Sequence, residues 1–276
     1  MTNSADYHDW IGSRQTAEDL LTPRLAAAFC ATFDLPESDP LPHGLHWCLA
    51  PALAAQAELG PDGHPQRGGF LPPVPLPRRM WAGGRLTLHG NLRVGDRVER
   101  VSTITSVAAK TGRSGPLCFV TVEHCFSTPR GVAIVEQQDI VYRGLDAASP
   151  AISSRDLPFS AEISREIDPS PVFLFRYSAL TFNAHRIHYD RTYAMQAEQY
   201  AGLVVHGPLQ ATLLMQLAAL LQPDAPLRHF TFRALQPLFD DGSFTLTGGF
   251  NSPFSAKLIA SKAGAWHMEA TASWQE

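Results

Sequence analysis

The chain has 276 residues, of which 45% are hydrophobic and 17% charged, and its formal net charge at pH 7 is −4. This length has room for two domains of ordinary size, and the mild negative charge, without basic clusters, does not indicate a nucleic-acid partner. No apolar run approaches the ~18 residues of a membrane span, and the first ten residues lack the pattern of a signal peptide. We therefore expect a cytoplasmic protein with no membrane partner.

The first half of the chain is predicted to place helices before strands. A helix is expected over Gln15–Leu35, because apolar side chains recur there at helical spacing after Thr16, a candidate cap. A second helix is expected over His46–Leu59. The stretch 61–77 is rich in Pro and Gly and long enough to be a functional loop. Alternating segments rich in Val, Ile, Thr and Phe then predict an antiparallel meander. These strands are expected at 85–90, 97–107, 117–127 and 133–142.

The second half repeats this order after a linker that we expect over 144–170. A helical turn or two is expected within His188–Tyr200, and the almost wholly apolar helix predicted over Pro208–Leu221 should be buried on most sides. Four further strands are expected at 228–235, 243–250, 255–261 and 266–273. The repeated order predicts an α+β fold with a duplicated unit, in which a curled antiparallel sheet wraps a buried helix. This is a double hot-dog arrangement, with an N-terminal domain over 1–148 and a C-terminal domain over 149–276.

The segment Arg176–Asp190 carries the densest set of reactive side chains. Within eight residues it places Asn183, His185, Arg186, His188, Tyr189 and Asp190. Hydration of an α,β-unsaturated thioester requires a base for the attacking water, a proton for Cα and stabilisation of the thioester oxygen. Neutral imidazole suits the proton transfer because its pKa lies near neutrality, whereas an amide orients water but cannot take its proton. The segment therefore favours hydration chemistry.

A second motif, Gly202–Ala211, leads into the apolar helix. Pro208 is favourable at a first helical position, where its missing N–H needs no partner. Gly207 just ahead of it lets backbone N–H groups at the helix N-terminus approach an oxygen that gains charge. An oxyanion site is therefore predicted at Gly207, with His206 immediately before it.

Both motifs resemble those of the hydroxyacyl-thioester dehydratase type 2 group of the MaoC-like hydratases, whose members include hydratases of mesaconyl-C4-CoA and itaconyl-CoA. Upstream, Pro77–Gly84 and Leu92–Asp96 resemble the degenerate N-terminal hot-dog half of the same proteins. The resemblance thus covers most of the chain. It implies a double hot-dog hydro-lyase acting on an acyl-CoA or acyl-ACP thioester. No cofactor is implied beyond the CoA that belongs to the substrate.

The resemblance also implies roles for individual residues. In the wider MaoC pattern a catalytic Asp is followed five residues later by a catalytic His. His188 occupies the His position and Asn183 the Asp position. Either His188 alone is the acid–base residue while Asn183 holds water, or His185 or Asp190 replaces the Asp. The oxyanion donor carries over to the backbone N–H of Gly207.

Several roles and alternatives remain open at this stage. The predicted substrate-binding residues are Arg186, Tyr189, His206 and Arg233. Arg186, or an Arg near the Pro-rich loop, suits a free carboxylate of the acyl group, and Arg78, Arg79 and Arg233 suit CoA phosphates. His206 is also compatible with a backbone contact, and Asp190 with a helix N-cap. The alternatives to a hydratase of this type are a fatty-acid-type (3R)-hydroxyacyl dehydratase, a hot-dog thioesterase and a non-catalytic acyl-thioester binder. No metal site is predicted, because the four cysteines lack ligand spacing. A monomer and a homodimer are both open.

Overall fold

A computed structural model describes residues 7–38, 40–112, 115–144 and 155–275. The strands are β1 Arg14–Leu20, β2 Arg78–Leu88, β3 Arg97–Gly112, β4 Gly115–Thr128, β5 Gly131–Arg143, β6 Ile163–Ile167, β7 His229–Ala234, β8 Phe244–Ser252, β9 Ser255–Lys262 and β10 Ala265–Ser273. The helices are α1 Pro23–Phe33, α2 Pro171–Leu180, α3 Arg191–Gln196 and α4 Gly207–Leu221. None of the helices in the described ranges has both the length and the apolar character needed to cross a membrane.

One antiparallel sheet contains all ten of these strands, and its order repeats between the halves. From the outer edge inward, the first half reads β1-β3-β4-β5-β2 and the second half β6-β8-β9-β10-β7. Strands β2 and β7 join the halves, with pairing from Gly83↔Arg233 to Thr87↔His229. This matching order is what a duplicated unit produces. The boundary predicted between 148 and 149 lies outside the described residues.

Helix α4 forms the core of the second half. Its residues Leu209–Ala218 are all buried, and strands β8, β9 and β10 pack over it. A helix that is apolar on every side must be covered on every side, and β2 of the first half also contacts it. The apolar helix predicted over Pro208–Leu221 is thus confirmed. The eight strands predicted for the two meanders are confirmed as β2–β5 and β7–β10, with shifted ends.

The helix predicted over Gln15–Leu35 is wrong in its first part. Residues Arg14–Leu20 form β1, which pairs with β3, and the helix starts only at Pro23, where the Thr22 hydroxyl accepts the N–H of Leu25 at 3.2 Å. Proline is favourable at the first position of a helix but breaks one that continues through it. The residue before it is pushed to an extended conformation, as Thr22 shows with φ −81° and ψ 154°.

The helix predicted over His46–Leu59 is also wrong. Only two short 3-10 turns form in that region, Leu45–Cys48 and Gln56–Glu58. Pro51 lacks the N–H that a continuous helix needs, and Ala50 takes a φ of +48°, outside helical geometry. Among the described residues of the first half, the longest helix is therefore α1, with 11 residues against 15 in α4.

The predicted linker 144–170 contains regular structure. Ile163–Ile167 form β6, which pairs with β8 at the sheet edge, while residues 145–154 lie outside the described part. Directly after the linker comes α2, which was not predicted. The Ser170 hydroxyl caps it by accepting the N–H of Phe173 at 3.3 Å, and Pro171 occupies its first turn.

Candidate active site

A cavity of about 1420 Å³ is lined by residues of both halves. It brings together most of the side chains and backbone groups that the sequence singled out. The predicted site residues in its wall are Asn183, His185, His188, Tyr189, Gly207 and Arg233. Two predicted substrate-binding residues, Arg186 and His206, are not part of this wall.

His188 presents a hydrogen-bond acceptor to the cavity. Its Nδ1 lies 2.7 Å from the carbonyl oxygen of Val204, and a carbonyl only accepts, so Nδ1 carries the hydrogen and Nε2 of the neutral ring keeps its lone pair. Burial, together with the neighbouring His206 and His185, lowers the pKa of His188 well below its usual value. The ring is therefore neutral at pH 7, and its Nε2 is available to water or substrate.

His206 lies behind His188. The two rings stack with centroids 3.6 Å apart and planes at 19°. Nε2 of His206 is 2.8 Å from the hydroxyl of Ser178 on α2. The side chain is fully buried, and burial lowers its pKa to about 3. His206 thus supports the ring of His188, and its burial does not favour the predicted contact with substrate. The sequence missed Ser178 because α2 itself was not recognised.

Asn183 uses its side-chain oxygen to shape the loop. This oxygen accepts the N–H of His185 at 3.0 Å, and the backbone N–H of Asn183 donates to the carbonyl of Ser178 at 2.8 Å. The side-chain NH₂ is therefore the group of Asn183 that is available to a molecule in the cavity. It donates hydrogen bonds but takes no proton, in agreement with a water-holding role.

Gly207 is the first residue of α4. The N–H of a first helical residue has no acceptor within its own helix, and the helix dipole adds partial positive charge at this end. A Cβ at Gly207 would lie 3.6 Å from the carbonyl oxygen of Trp81 in β2, so the two halves approach each other closely there. The backbone at Gly207 is suited to an oxygen that gains negative charge.

His185 and Tyr189 complete the wall near His188. The His185 ring meets the His188 ring edge-on with centroids 5.4 Å apart, and its Nε2 is 4.0 Å from a carboxylate oxygen of Glu198. The Tyr189 hydroxyl donates to the carbonyl of Ala184 at 3.0 Å, and the side chain is 45% exposed. Both residues have surface that a substrate is able to reach.

Arg186 and Asp190 form a structural pair. The guanidinium donates to the Asp190 carboxylate at 2.7 Å and to the carbonyl of Pro61 at 3.0 Å. Asp190 also accepts the N–H of Tyr193 at 3.0 Å, which caps α3. The capping interpretation of Asp190 is therefore confirmed. These contacts occupy Arg186 outside the cavity wall, so the structure does not favour the predicted substrate contact.

The sequence missed two residues of the predicted functional loop, Asp62 and His64. His64 lines the cavity, its Nδ1 is 3.1 Å from an Asp62 oxygen, and its ring centroid is 4.0 Å from that of His185. Burial, assisted by the charges of His185 and Arg79, lowers the pKa of His64 to about 3 against the opposing effect of Asp62. The length and composition of the loop were the only signals that pointed to it.

The same cluster is relevant to the prediction of no metal site. Asp62, His64 and His185 each place one nitrogen or oxygen within 4.8 Å of the others. Burial raises the pKa of Asp62, but the hydrogen bond and charge of His64 and the charge of His185 outweigh it and lower the pKa overall. The carboxylate is thus ionised, and its contact with His64 is a direct hydrogen bond.

Five arginines line the cavity, namely Arg67, Arg79, Arg100, Arg143 and Arg233. Arg79 of β2 is half-buried there, and among the described residues no carboxylate lies within 4.0 Å of its guanidinium. Its neighbour Arg78 differs, because it pairs with Glu198 at 3.8 Å. Arg233 of β7 is exposed in the same wall. Arg79 is therefore a cation of the cavity without an ionic partner in the described chain.

Sequence comparison finds similarity to known proteins over most of the chain. The family model for hydroxyacyl-thioester dehydratase type 2 matches residues 44–240. A protein named mesaconyl-C(4)-CoA hydratase, from Chloroflexus aurantiacus, is 48% identical over 250 residues, which are 88% of this chain and 89% of that protein.

Solved structures share the fold at low sequence identity. A MaoC-like dehydratase from Phytophthora capsici is 12% identical with a TM-score of 0.69, and the match covers 96% of each chain. A conserved hypothetical protein of Mycobacterium tuberculosis with a double hotdog fold is 13% identical with a TM-score of 0.57, over 95% of this chain and 96% of that one. The predicted α+β double hot-dog fold is confirmed. Since the family model spans far more than half of the sequence, the chain belongs to the hydroxyacyl-thioester dehydratase type 2 family.

Proposed function

We propose that this protein is a hydro-lyase that reversibly hydrates an α,β-unsaturated acyl-CoA whose acyl group carries a free carboxylate. Mesaconyl-C4-CoA, the substrate in the name of the 48% identical relative, is of this type. The observation that carries the proposal is Arg79, a half-buried cation in the cavity wall. A partly buried charge without an ionic partner is unfavourable, and a substrate carboxylate supplies that partner.

The thioester carbonyl binds at the N-terminus of α4. The N–H of Gly207 donates to its oxygen, and the helix dipole stabilises the negative charge that grows there as water adds. Loss of one such donor typically costs about 3 kcal/mol of transition-state stabilisation. Because the donor is a backbone group, no side-chain substitution at other positions removes it.

The attacking water is held over Cβ by side chains of the catalytic motif. Nε2 of His188 accepts one of its hydrogen bonds, since the Nδ1–H of this ring is committed to Val204. The NH₂ of Asn183 donates to the water oxygen, since the Asn183 oxygen is committed to His185. Backbone, side chains and water supply every group of this reaction, so we propose no cofactor besides the CoA of the substrate.

A substrate panel tests the proposal. The protein is incubated with mesaconyl-C4-CoA, itaconyl-CoA and crotonyl-CoA, and loss of the enoyl absorbance is followed. We expect hydration of a dicarboxylic thioester in preference to crotonyl-CoA, and loss of turnover in His188→Ala. Absence of turnover for all three thioesters would refute the proposal. Release of free CoA thiol would instead support the thioesterase alternative.

Substitution of Arg79 tests the carboxylate. Arg79→Met is expected to lower kcat/KM for the dicarboxylic thioester by about 10²-fold, the typical effect of removing one partner of a desolvated charge pair, and to leave crotonyl-CoA unaffected. Arg85→Met is the matched control, because Arg85 lies on the same strand but is exposed and pairs with Asp139 at 3.0 Å. Equal effects of both substitutions, or no effect of either, would contradict the assignment.

A further inference from the structure

The irregular loop of the first half docks directly onto the segment that carries the catalytic motif. The N–H of Arg186 donates to the Asp62 carbonyl at 2.9 Å, and the Arg186 guanidinium donates to the carbonyl of Pro61 at 3.0 Å. Gly63, the residue after Asp62, has a φ of +88°, and a Cβ there would lie only 1.9 Å from the carbonyl oxygen of Ala184. Only glycine permits this approach, so the loop occupies a defined position.

This docking places the His64 imidazole in the cavity wall, with the Asp62 carboxylate next to it. Asp62 accepts the backbone N–H of His64 at 3.0 Å and faces the ring Nδ1 at 3.1 Å. An ionised carboxylate only accepts, so Nδ1 carries the hydrogen and Nε2 of the neutral ring keeps a lone pair. The His64 ring contacts that of His185, which in turn contacts His188. The cavity therefore contains two neutral imidazoles with an Nε2 acceptor.

The two imidazoles differ in how well each tolerates a proton. A proton on His188 would have no counter-charge, because Nδ1 of that ring faces a carbonyl and its face is stacked on His206 at 3.6 Å. Within the described part of the chain no carboxylate pairs with His188. A proton on His64 would lie next to the ionised Asp62. A carboxylate behind an imidazole stabilises the imidazolium that forms in catalysis.

We propose that His64, held by Asp62, is a further catalytic residue that accepts the proton of the attacking water, while His188 orients that water. This inference rests on the hydration reaction proposed above. The pair supplies the acid–base group that Asn183 is unable to provide. It comes from the first half of the chain, whereas the other catalytic groups come from the second.

The proposed step balances without another reagent. The water donates one hydrogen bond to Nε2 of His188 and one to Nε2 of His64. As its oxygen bonds to Cβ, its O–H bond to His64 breaks, and the π electrons move to the thioester oxygen at Gly207. The His64 imidazolium then gives the same proton to Cα, where the enolate electrons form the C–H bond. Water is thereby added to one face, and His64 is neutral again.

Two substitutions test the negative charge of Asp62 and the base at His64. Asp62→Asn keeps the size of the side chain and one acceptor oxygen but removes the charge, and His64→Gln removes the base. Both are expected to lower kcat by about 10²- to 10⁴-fold with little change in KM or in the thermal midpoint. The matched controls Asp241→Asn and His229→Gln alter residues outside the cavity wall and should retain wild-type kcat.

Chemical rescue distinguishes catalysis from a structural role of Asp62. Formate is expected to restore part of the lost kcat in Asp62→Ala, while neutral formamide is not, because only formate returns a negative charge next to His64. This comparison also decides the question if Asp62→Asn proves unstable. Absence of formate rescue in a folded Asp62→Ala, or equal rescue by formamide, would overturn the inference.

The remaining outcomes are also decisive. A kcat of Asp62→Asn or His64→Gln within about threefold of wild type would overturn the inference and leave the hydratase proposal intact. Loss of wild-type activity in EDTA would overturn it as well, because Asp62, His64 and His185 would then be ligands of a metal ion. Failure of wild type on all three thioesters would instead refute the proposed function.

Discussion

Lowering the pH from 7.5 to 5.5 is expected to remove most of the stability of the fold. Burial lowers the pKa of five histidines to about 3 or 4, below the ordinary value of 6.5. They are His43, His46, His64, His124 and His206. Because these pKa values are depressed on folding, the folded chain binds fewer protons than the unfolded chain. The stability is therefore complete above pH 6.5 and is lost as the pH falls toward 4.

The magnitude follows from proton linkage. At pH 5.5, protonation of each of these histidines in the unfolded chain shifts the folding equilibrium toward the unfolded state by about tenfold. The five together shift it by about 10⁵-fold, or about 7 kcal/mol. Glu136 acts in the opposite direction. Burial raises its pKa to about 7, so protonation of the folded chain at pH 5.5 returns about 2 kcal/mol. The net loss of about 5 kcal/mol is comparable with the whole stability of a typical domain.

Urea unfolding followed by circular dichroism at both pH values measures this difference. A return to pH 7.5 should restore the folded signal, because titration of the histidines is reversible. A free energy of unfolding that agrees within about 1 kcal/mol at pH 7.5 and 5.5 would refute the reasoning. It would show that these imidazoles take up protons in the folded state as readily as in the unfolded one.

Three substitutions test other parts of the structure. Gly63→Ala should displace the docked loop and lower kcat by about 10- to 100-fold in the hydration assay, because its Cβ would lie 1.9 Å from a carbonyl oxygen. Gly12→Ala is the control and should retain kcat, because Gly12 has a similar φ of +89° but open surroundings. Glu136→Gln should raise the free energy of unfolding at pH 8 by up to about 3 kcal/mol, because the raised pKa of Glu136 shows that the ionised carboxylate is unfavourable in the fold. The gain in stability should disappear near pH 4.5, and a lower free energy of unfolding at pH 8 would contradict this explanation. Ser178→Ala should lower the free energy of unfolding by about 1–3 kcal/mol in urea titrations, because it leaves Nε2 of the buried His206 without a partner; an unchanged value would show that the hydrogen bond contributes nothing.

Elements with a clear one-dimensional pattern were predictable from the sequence. The apolar helix α4 and the alternating strands β3 and β4 were predicted because burial determines their residue patterns. A helix buried on all sides is apolar throughout, and a strand buried on one face alternates apolar and polar residues. The two wrong helices show the limit of this reasoning. Apolar side chains at helical spacing suggested helices that continue across Pro23 and Pro51. Helix α1 instead begins at Pro23, and no helix continues across Pro51.

The candidate site divides in the same way. Asn183 and His188 lie within one short segment, and Gly207 marks the start of an apolar helix. The residue pattern and the family resemblance were therefore enough to identify these three residues as candidates. Asp62 and His64 belong to a loop more than a hundred positions earlier in the chain. Only the packing of the two halves brings that loop to the catalytic motif, because the contact at Gly63 depends on backbone geometry and not on local residue pattern.

The cations of the site illustrate this division once more. The sequence determined that arginines are present in the motif and near the Pro-rich loop, but it did not determine which of them faces the cavity. The tertiary structure distinguishes two of them, because Arg186 is occupied by Asp190 and Pro61 whereas Arg79 lines the cavity without an ionic partner among the described residues. The physical reason is that residue type determines which charge is available, whereas three-dimensional neighbours determine whether that charge is already neutralised.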